Sequence, residues 1–155
     1  MVDIFTDGAC LGNPGPGGWA ALLRFGDGSM ELSGGFAMTT NNRMELMGAL
    51  KSLEFLTRPC RVTLYSDSRY LCDAVNKGWL KSWRGRGWIK ADNKGVLNRD
   101  LWERLWLLFE RHSPRLVWVR GHSGHKENER ADVLARAAAG APGLPPDAGF
   151  GGDYV

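Results

Sequence analysis

The segment Val2-Asp3-Ile4-Phe5-Thr6-Asp7-Gly8 opens the chain as a strand and ends on an acid. Its β-branched and aromatic residues suit a pleated, half-buried surface, and Gly8 marks a stop. Asp7 stands where the pattern would accept another apolar residue. A carboxylate at the tip of a buried strand is costly to desolvate unless something positive sits beside it. What gathers around Asp7 therefore decides what the chain can do.

Outward from that strand, residues 8–18 form a loop dense in Gly and Pro around Asn13-Pro14-Gly15-Pro16. It lacks the Gly-Lys-Ser/Thr ending of a phosphate-cradling loop, and its prolines remove backbone donors, so it reads as a shaped turn. Residues 19–25 are a second strand, Gly26-Asp27-Gly28 a hairpin turn and residues 29–36 a weaker third strand. Three strands joined by short loops imply an antiparallel meander. The period then changes. Residues 42–56 carry Leu46, Ala49, Leu50, Leu53 and Leu56 at helical spacing and stop before Pro59. Residues 61–66 are a fourth strand ending in Asp67, and residues 69–75 a short helix. Residues 100–112 are an amphipathic helix closed by Pro114, residues 116–120 a fifth strand, and residues 127–139 a last helix. Strands in a meander, then strands alternating with helices, indicate an α/β (α+β) mixed five-stranded sheet with helices against it. One domain over residues 1–140 is expected, followed by a Gly/Pro-rich tail, residues 141–155, with little to bury and expected to be flexible.

Composition excludes several classes. The 155 residues are 43% apolar and 24% charged, the profile of a soluble globular protein. Net charge is only +3, so partners must be read from local charge. Cys10, Cys60 and Cys72 are an odd set without metal-ligand spacing, which suits reduced thiols and a cytoplasmic location. No signal peptide and no apolar run of about 18 residues is visible, so no membrane role is expected.

Four acids attract notice, and three have ordinary explanations when taken singly. Asn42-x-x-Glu45 fits a capping box. Asp132 follows Glu127-Asn128-Glu129-Arg130-Ala131, near a helix start where the dipole favours acids. Asp67 fits a cap for the helix after it. Asp7 has no such account. If its strand neighbours the one ending in Asp67, two like charges lie side by side and call for a cation.

The blocks that hold these acids carry a resemblance. Ile4-Phe5-Thr6-Asp7-Gly8-Ala9-Cys10-Leu11-Gly12-Asn13-Pro14-Gly15-Pro16-Gly17-Gly18 resembles the opening of type I bacterial ribonuclease H. So do Thr39-Thr40-Asn41-Asn42-Arg43-Met44-Glu45-Leu46, Ser66-Asp67-Ser68-Arg69-Tyr70 and Gly121-His122-Ser123-Gly124-His125-Lys126-Glu127-Asn128-Glu129-Arg130-Ala131-Asp132, in the family's order and spacing. The resemblance implies the family's fold and a catalytic, metal-binding quartet of Asp7, Glu45, Asp67 and Asp132. It implies two Mg²⁺ ions (or Mn²⁺) with substrate bound, hard cations that prefer oxygen ligands, roughly 3.5–4 Å apart across the scissile phosphate. The implied activity is endonucleolytic hydrolysis of the RNA strand of RNA–DNA hybrids, giving 5′-phosphate and 3′-hydroxyl ends, largely independent of sequence. Removal of RNA primers and R-loops follows from that activity, by a monomer without an obligatory protein partner. His122 corresponds to the family's mobile-loop histidine, a proton shuttle or product-release aid, and Glu129 to an outer-shell acid.

Substrate contacts are implied as well. Asn13, Asn41 and Asn42 match minor-groove positions that sense the 2′-hydroxyl, and Thr40 and Arg43 match positions that hold a DNA-strand phosphate. Between residues 77 and 94 stand Lys77, Lys81, Arg84, Arg86, Lys90 and Lys94 against one acid, Asp92, interleaved with Trp79, Trp83 and Trp88. This stretch is either a solvated charged loop around a tryptophan cluster or a grip on a nucleic-acid backbone, and the two are compatible. It resembles the basic handle of cellular members, which assigns Trp79, Lys81, Trp83, Arg84 and Arg86 to the hybrid. The alternative is a catalytically silent hybrid-binding module on the same fold, which would be expected to lack at least one of the four acids.

Overall fold

The computed structural model describes residues 1–121 and 125–151. In chain order the elements are β1 (Val2–Cys10), β2 (Gly15–Phe25), β3 (Gly28–Thr39), α1 (Asn41–Phe55), β4 (Val62–Ser66), α2 (Arg69–Asn76), α3 (Trp79–Gly85), α4 (Arg99–His112), β5 (Arg115–Trp118) and α5 (Lys126–Ala139). The sheet order is β3-β2-β1-β4-β5. β1, β2 and β3 pair antiparallel, whereas β4 runs parallel to both β1 and β5. The meander and the mixed five-stranded sheet read from the sequence are thus observed.

Alternation along β2 explains the two helical layers. Ala21 and Leu23 turn toward a core shared with Ile4, Met44, Leu50, Leu53, Leu64, Leu101 and Trp102, which seats α1 and α4 on one face. Ala20, one residue before Ala21 and so of opposite facing, turns to Ala131 and Ala135 of α5 on the other. Small residues allow that second layer to sit close. A Cβ on Gly18 would run into the main chain of α5 at Ala135 and Ala139.

Three local readings change. The N-cap of α1 is Thr40, whose hydroxyl accepts from the Arg43 amide at 3.2 Å, so Glu45 lies beyond N3 and no Asn42–Glu45 capping box forms. Ser68, not Asp67, caps α2 through the Leu71 amide. Residues 77–95, left without an element by their lack of a core stripe, contain α3, which buries only Leu80, and a bridge between Ile89 and Gly95. The tail is also corrected. Rather than a flexible segment with little to bury, residues 141–151 dock: the Ala37 amide donates to the Pro145 carbonyl at 2.8 Å, and Asp147 is buried in an ion-pair network with Arg43.

Candidate active site

Parallel pairing of β1 with β4 aligns Phe5 with Tyr65. Two residues further along each strand stand Asp7 and Asp67, at the carboxyl end where open α/β sheets collect their sites. Asp7 still pairs across to Ala20 of β2, so its main chain is fixed by the ladder. Asp67 lies one residue past β4, and its flanks are pinned. The Val119 amide donates to the Ser66 carbonyl at 2.9 Å, the Ser68 amide to the Ser66 hydroxyl at 3.0 Å, and the Trp118 indole N–H to the Asp67 carbonyl at 3.1 Å.

Glu45 reaches this point because α1 crosses β1 without a side chain between them. A Cβ on Gly8 would lie 2.6 Å from the Glu45 amide nitrogen. Asp7, Glu45 and Asp67 each offer an oxygen, all within 4.8 Å of one another. Asp132 joins from α5: it lines the same cleft, of about 240 Å³, near enough to Asp7 to raise its carboxyl pKa, while its Oδ1 accepts from Arg136 Nε at 3.1 Å. The expected quartet is therefore gathered from β1, α1, the end of β4 and α5.

Its electrostatics are those of a site built for a cation. Burial pushes the Asp7 carboxyl up to about 8, helped by the Asp67 charge and by Asp132. Burial, then the charge of Asp7, holds Glu45 well above the usual carboxylate range. Glu45 Oε1 is buried without a hydrogen-bond partner, an arrangement that costs stability unless something positive completes it. All-oxygen donors at this spacing fit Mg²⁺ or Mn²⁺, which favour carboxylates and retain water.

The remaining expected residues fall into separate groups. Asn41 lines the cleft with Glu129, and its backbone N–H donates to Asn13 Oδ1 at 3.0 Å. Asn42 is partly exposed beside it, and Thr40 is buried as the cap. Arg43 is not at the surface. Its side chain is 2% exposed and its guanidinium is engaged by Asp100 and Asp147 within the protein. Trp79, Lys81, Arg84 and Arg86 are exposed on α3 and its C-cap, while Trp83 packs edge-on against Trp102 at 5.8 Å. Arg84 lies over the Trp106 ring at 4.9 Å and Lys77 over Trp79 at 5.5 Å. His122 lies outside the described residues.

Sequence reasoning passed over several neighbours. His125, given no role in the sequence, lines the cleft with Arg120 and Asn128. Asn128 precedes Asp132 by four residues, one helical turn, and that i,i+4 spacing was a readable signal. Trp118 stands on β5 at the Ser66 register with Arg69 stacked 4.1 Å over its ring, a pairing no sequence pattern announces.

A mixed sheet whose adjacent parallel strands end in acids, faced by further acids from two helices, defines the ribonuclease H-like class. A family profile described as RNase H matches residues 1–140. A ribonuclease H from Nitratidesulfovibrio vulgaris is 62% identical over 149 residues, 96% of each chain. One from Pectobacterium carotovorum is 56% identical over 150 residues, 97% of this chain and 96% of the other. Among solved structures, LC9-RNase H1, a type 1 RNase H with the type 2 active-site motif, superposes with a TM-score of 0.80 at 32% identity, over 90% of this chain and 72% of that one. LC11-RNase H1 in complex with RNA/DNA hybrid shares the fold, with a TM-score of 0.66 at 23% identity over 90% and 96%. The chain belongs to the RNase H family.

Proposed function

We propose that the chain is an endoribonuclease that hydrolyses the RNA strand of RNA–DNA hybrids and leaves 5′-phosphate and 3′-hydroxyl ends. The observation that carries this reading is the convergence of Asp7, Glu45 and Asp67 within 4.8 Å. The relatives' name and the hybrid held by LC11-RNase H1 point the same way. Divalent cations held by these three acids and Asp132 supply, when bound, activation of the attacking water and stabilisation of the departing 3′ oxygen.

The protein's own part is preorganisation. β1 holds Asp7 rigidly, Trp118 and the Ser66–Ser68 turn hold Asp67, and Gly8 lets Glu45 approach. Asn41, braced by Asn13, presents an amide able to donate to and accept from a 2′-hydroxyl, the group that distinguishes RNA. Glu129 faces the cleft as an outer acid, and His122 carries the proton-shuttle or product-release role by family resemblance. The basic, tryptophan-bearing segment around α3 grips the backbone of the hybrid. Mg²⁺ is the working ion, with Mn²⁺ able to replace it. The enzyme acts as a cytoplasmic monomer; no described helix is long and apolar enough to cross a membrane.

The test is cleavage of end-labelled hybrid, duplex RNA and duplex DNA, with Mg²⁺ and with EDTA. Metal-dependent cutting of the hybrid's RNA strand alone is expected. Equal activity in EDTA, or none on the hybrid, sinks the assignment, and metal-independent binding without cutting favours a silent module instead.

A further inference from the structure

The C-terminal segment meets the body of the protein at one arginine. Arg43 has five N–H donors, and the structure occupies all of them. Nε donates to Asp147 Oδ2 at 2.7 Å, and Nη2 to Asp147 Oδ1 at 3.1 Å and to Asp100 Oδ2 at 2.7 Å. Nη1 donates to Asp100 Oδ1 at 2.9 Å and to Asn98 Oδ1 at 3.3 Å. The guanidinium thus ties three distant parts of the chain together: the first turn of α1, the start of α4 and the tail. The Asp147 carboxylate also accepts from the Thr39 hydroxyl at 2.7 Å. Thr39 is the last residue of β3 and immediately precedes the cap of α1. The Ala37–Pro145 main-chain bond and Leu144, packed over Gly35, hold the tail along the same stretch.

The grip falls where it can matter to the site. Arg43 stands two residues after Asn41, which lines the cleft, and two before Glu45. Its own amide closes the Thr40 cap. Asp147 therefore touches both ends of the Thr39–Arg43 turn, while Asn13 holds its outer side through the Asn41 amide. We infer that Asp147 is a positioning residue for substrate: the docked C-terminal segment fixes the first turn of α1 in the pose that presents Asn41 and Asn42 to the hybrid. This rests on the hybrid-cleaving function proposed above.

The sign of the effect separates this from plain electrostatics. Removing a negative charge from a protein that binds a polyanion tightens binding if charge alone matters. Loss of positioning loosens it. The experiment compares full-length wild type, Asp147→Asn and Thr39→Val on one RNA–DNA hybrid, reading KM, kcat and melting temperature, with assays run far below the melting transition. Asp147→Asn is expected to raise KM by about 5- to 10-fold, the scale of a sub-ångström misplacement of binding groups, with kcat within about twofold. Thr39→Val, which removes one hydrogen bond and keeps the ion pair, is expected to raise KM by about threefold. It carries the test alone if Asp147→Asn does not fold. A lower melting temperature with unchanged KM reduces the tail to a structural clasp and overturns the inference, as does a lower KM. A wild type that leaves the hybrid intact refutes the proposed function instead, so the two failures are distinguishable.

Discussion

Asp7 is the residue on which burial and function conflict most openly. With no cation beside it, the fold holds its carboxyl protonated up to about pH 8, against 3.8 in an unfolded chain. Between those values the native state keeps a proton that the unfolded state releases, so the metal-free protein loses stability as pH rises from about 4 to about 8. Glu45, shifted the same way, adds to the slope. Thermal melts in EDTA across that window are expected to show a falling transition temperature. Added Mg²⁺ is expected to raise it most at the alkaline end, because the ligands must lose protons to bind; a flat profile in EDTA would contradict the shift. Asp7→Asn removes the charge at nearly constant shape. Cleavage is expected to fall by about 10³-fold or more, the scale lost with a preorganised transition-state contact, while a gel-shift assay still shows hybrid binding; retained activity would remove Asp7 from the centre. At this scale much was legible. Asp7 resisted every ordinary explanation, whereas Glu45 was excused as a capping residue. That excuse failed because the cap lies two residues earlier, at Thr40 and not Asn42, so Glu45 sits past the first turn, where it cannot reach back to the cap.

Elements place these side chains through close approach as much as through regular structure. Gly8 has its main chain against the Glu45 amide, and any Cβ there must push α1 from β1. Gly8→Ala is expected to cost about 1–3 kcal/mol, the usual penalty for overpacking, and to lower kcat because Glu45 retreats from Asp7. Urea melts and steady-state assays check the pair of effects, and an active variant of wild-type stability would show that the gap can relax. The Arg43 network is the other device. Arg43→Ala leaves Asp147 buried without its partner, and a loss of about 3–5 kcal/mol is expected in the same melts; less than 1 kcal/mol would mean that water reaches Asp147 freely. Most strands and the helices α1, α2, α4 and α5 were readable from their apolar residues together with the Gly and Pro that bound them. α3 was not, since it buries only Leu80 and its tryptophans reach outward or edge-on to α4. The tail was misjudged for a related reason. Its composition promises nothing to bury, and its anchor is one acid whose partner lies 104 positions earlier.

Across the whole molecule, charge is distributed more unevenly than a net +3 suggests. Four acids converge on one cleft, while the segment from Lys77 to Lys94 stands out with six bases and one acid. Under the proposed function, cutting and holding fall to opposite charges in separate places. The bases of the handle are not equivalent. Arg84 lies over Trp106 and contributes to packing, whereas Lys81 and Arg86 are exposed with no ion pair among the described residues. A polyanion bound by such groups releases counterions, so log affinity falls with log salt with a slope near 0.9 per phosphate neutralised on B-form DNA. The variant carrying both Lys81→Ala and Arg86→Ala is expected to keep the wild-type melting temperature. Its plot of log affinity for hybrid against log salt is expected to flatten by about 1.5–2, with the deficit largest at low salt. Arg84→Ala is expected to flatten the plot by less than 1 and to lower the melting temperature as well, because it uncovers Trp106. An unchanged slope in the double variant would make the segment a solvated surface around its tryptophans and shift the grip on the hybrid to the cleft itself.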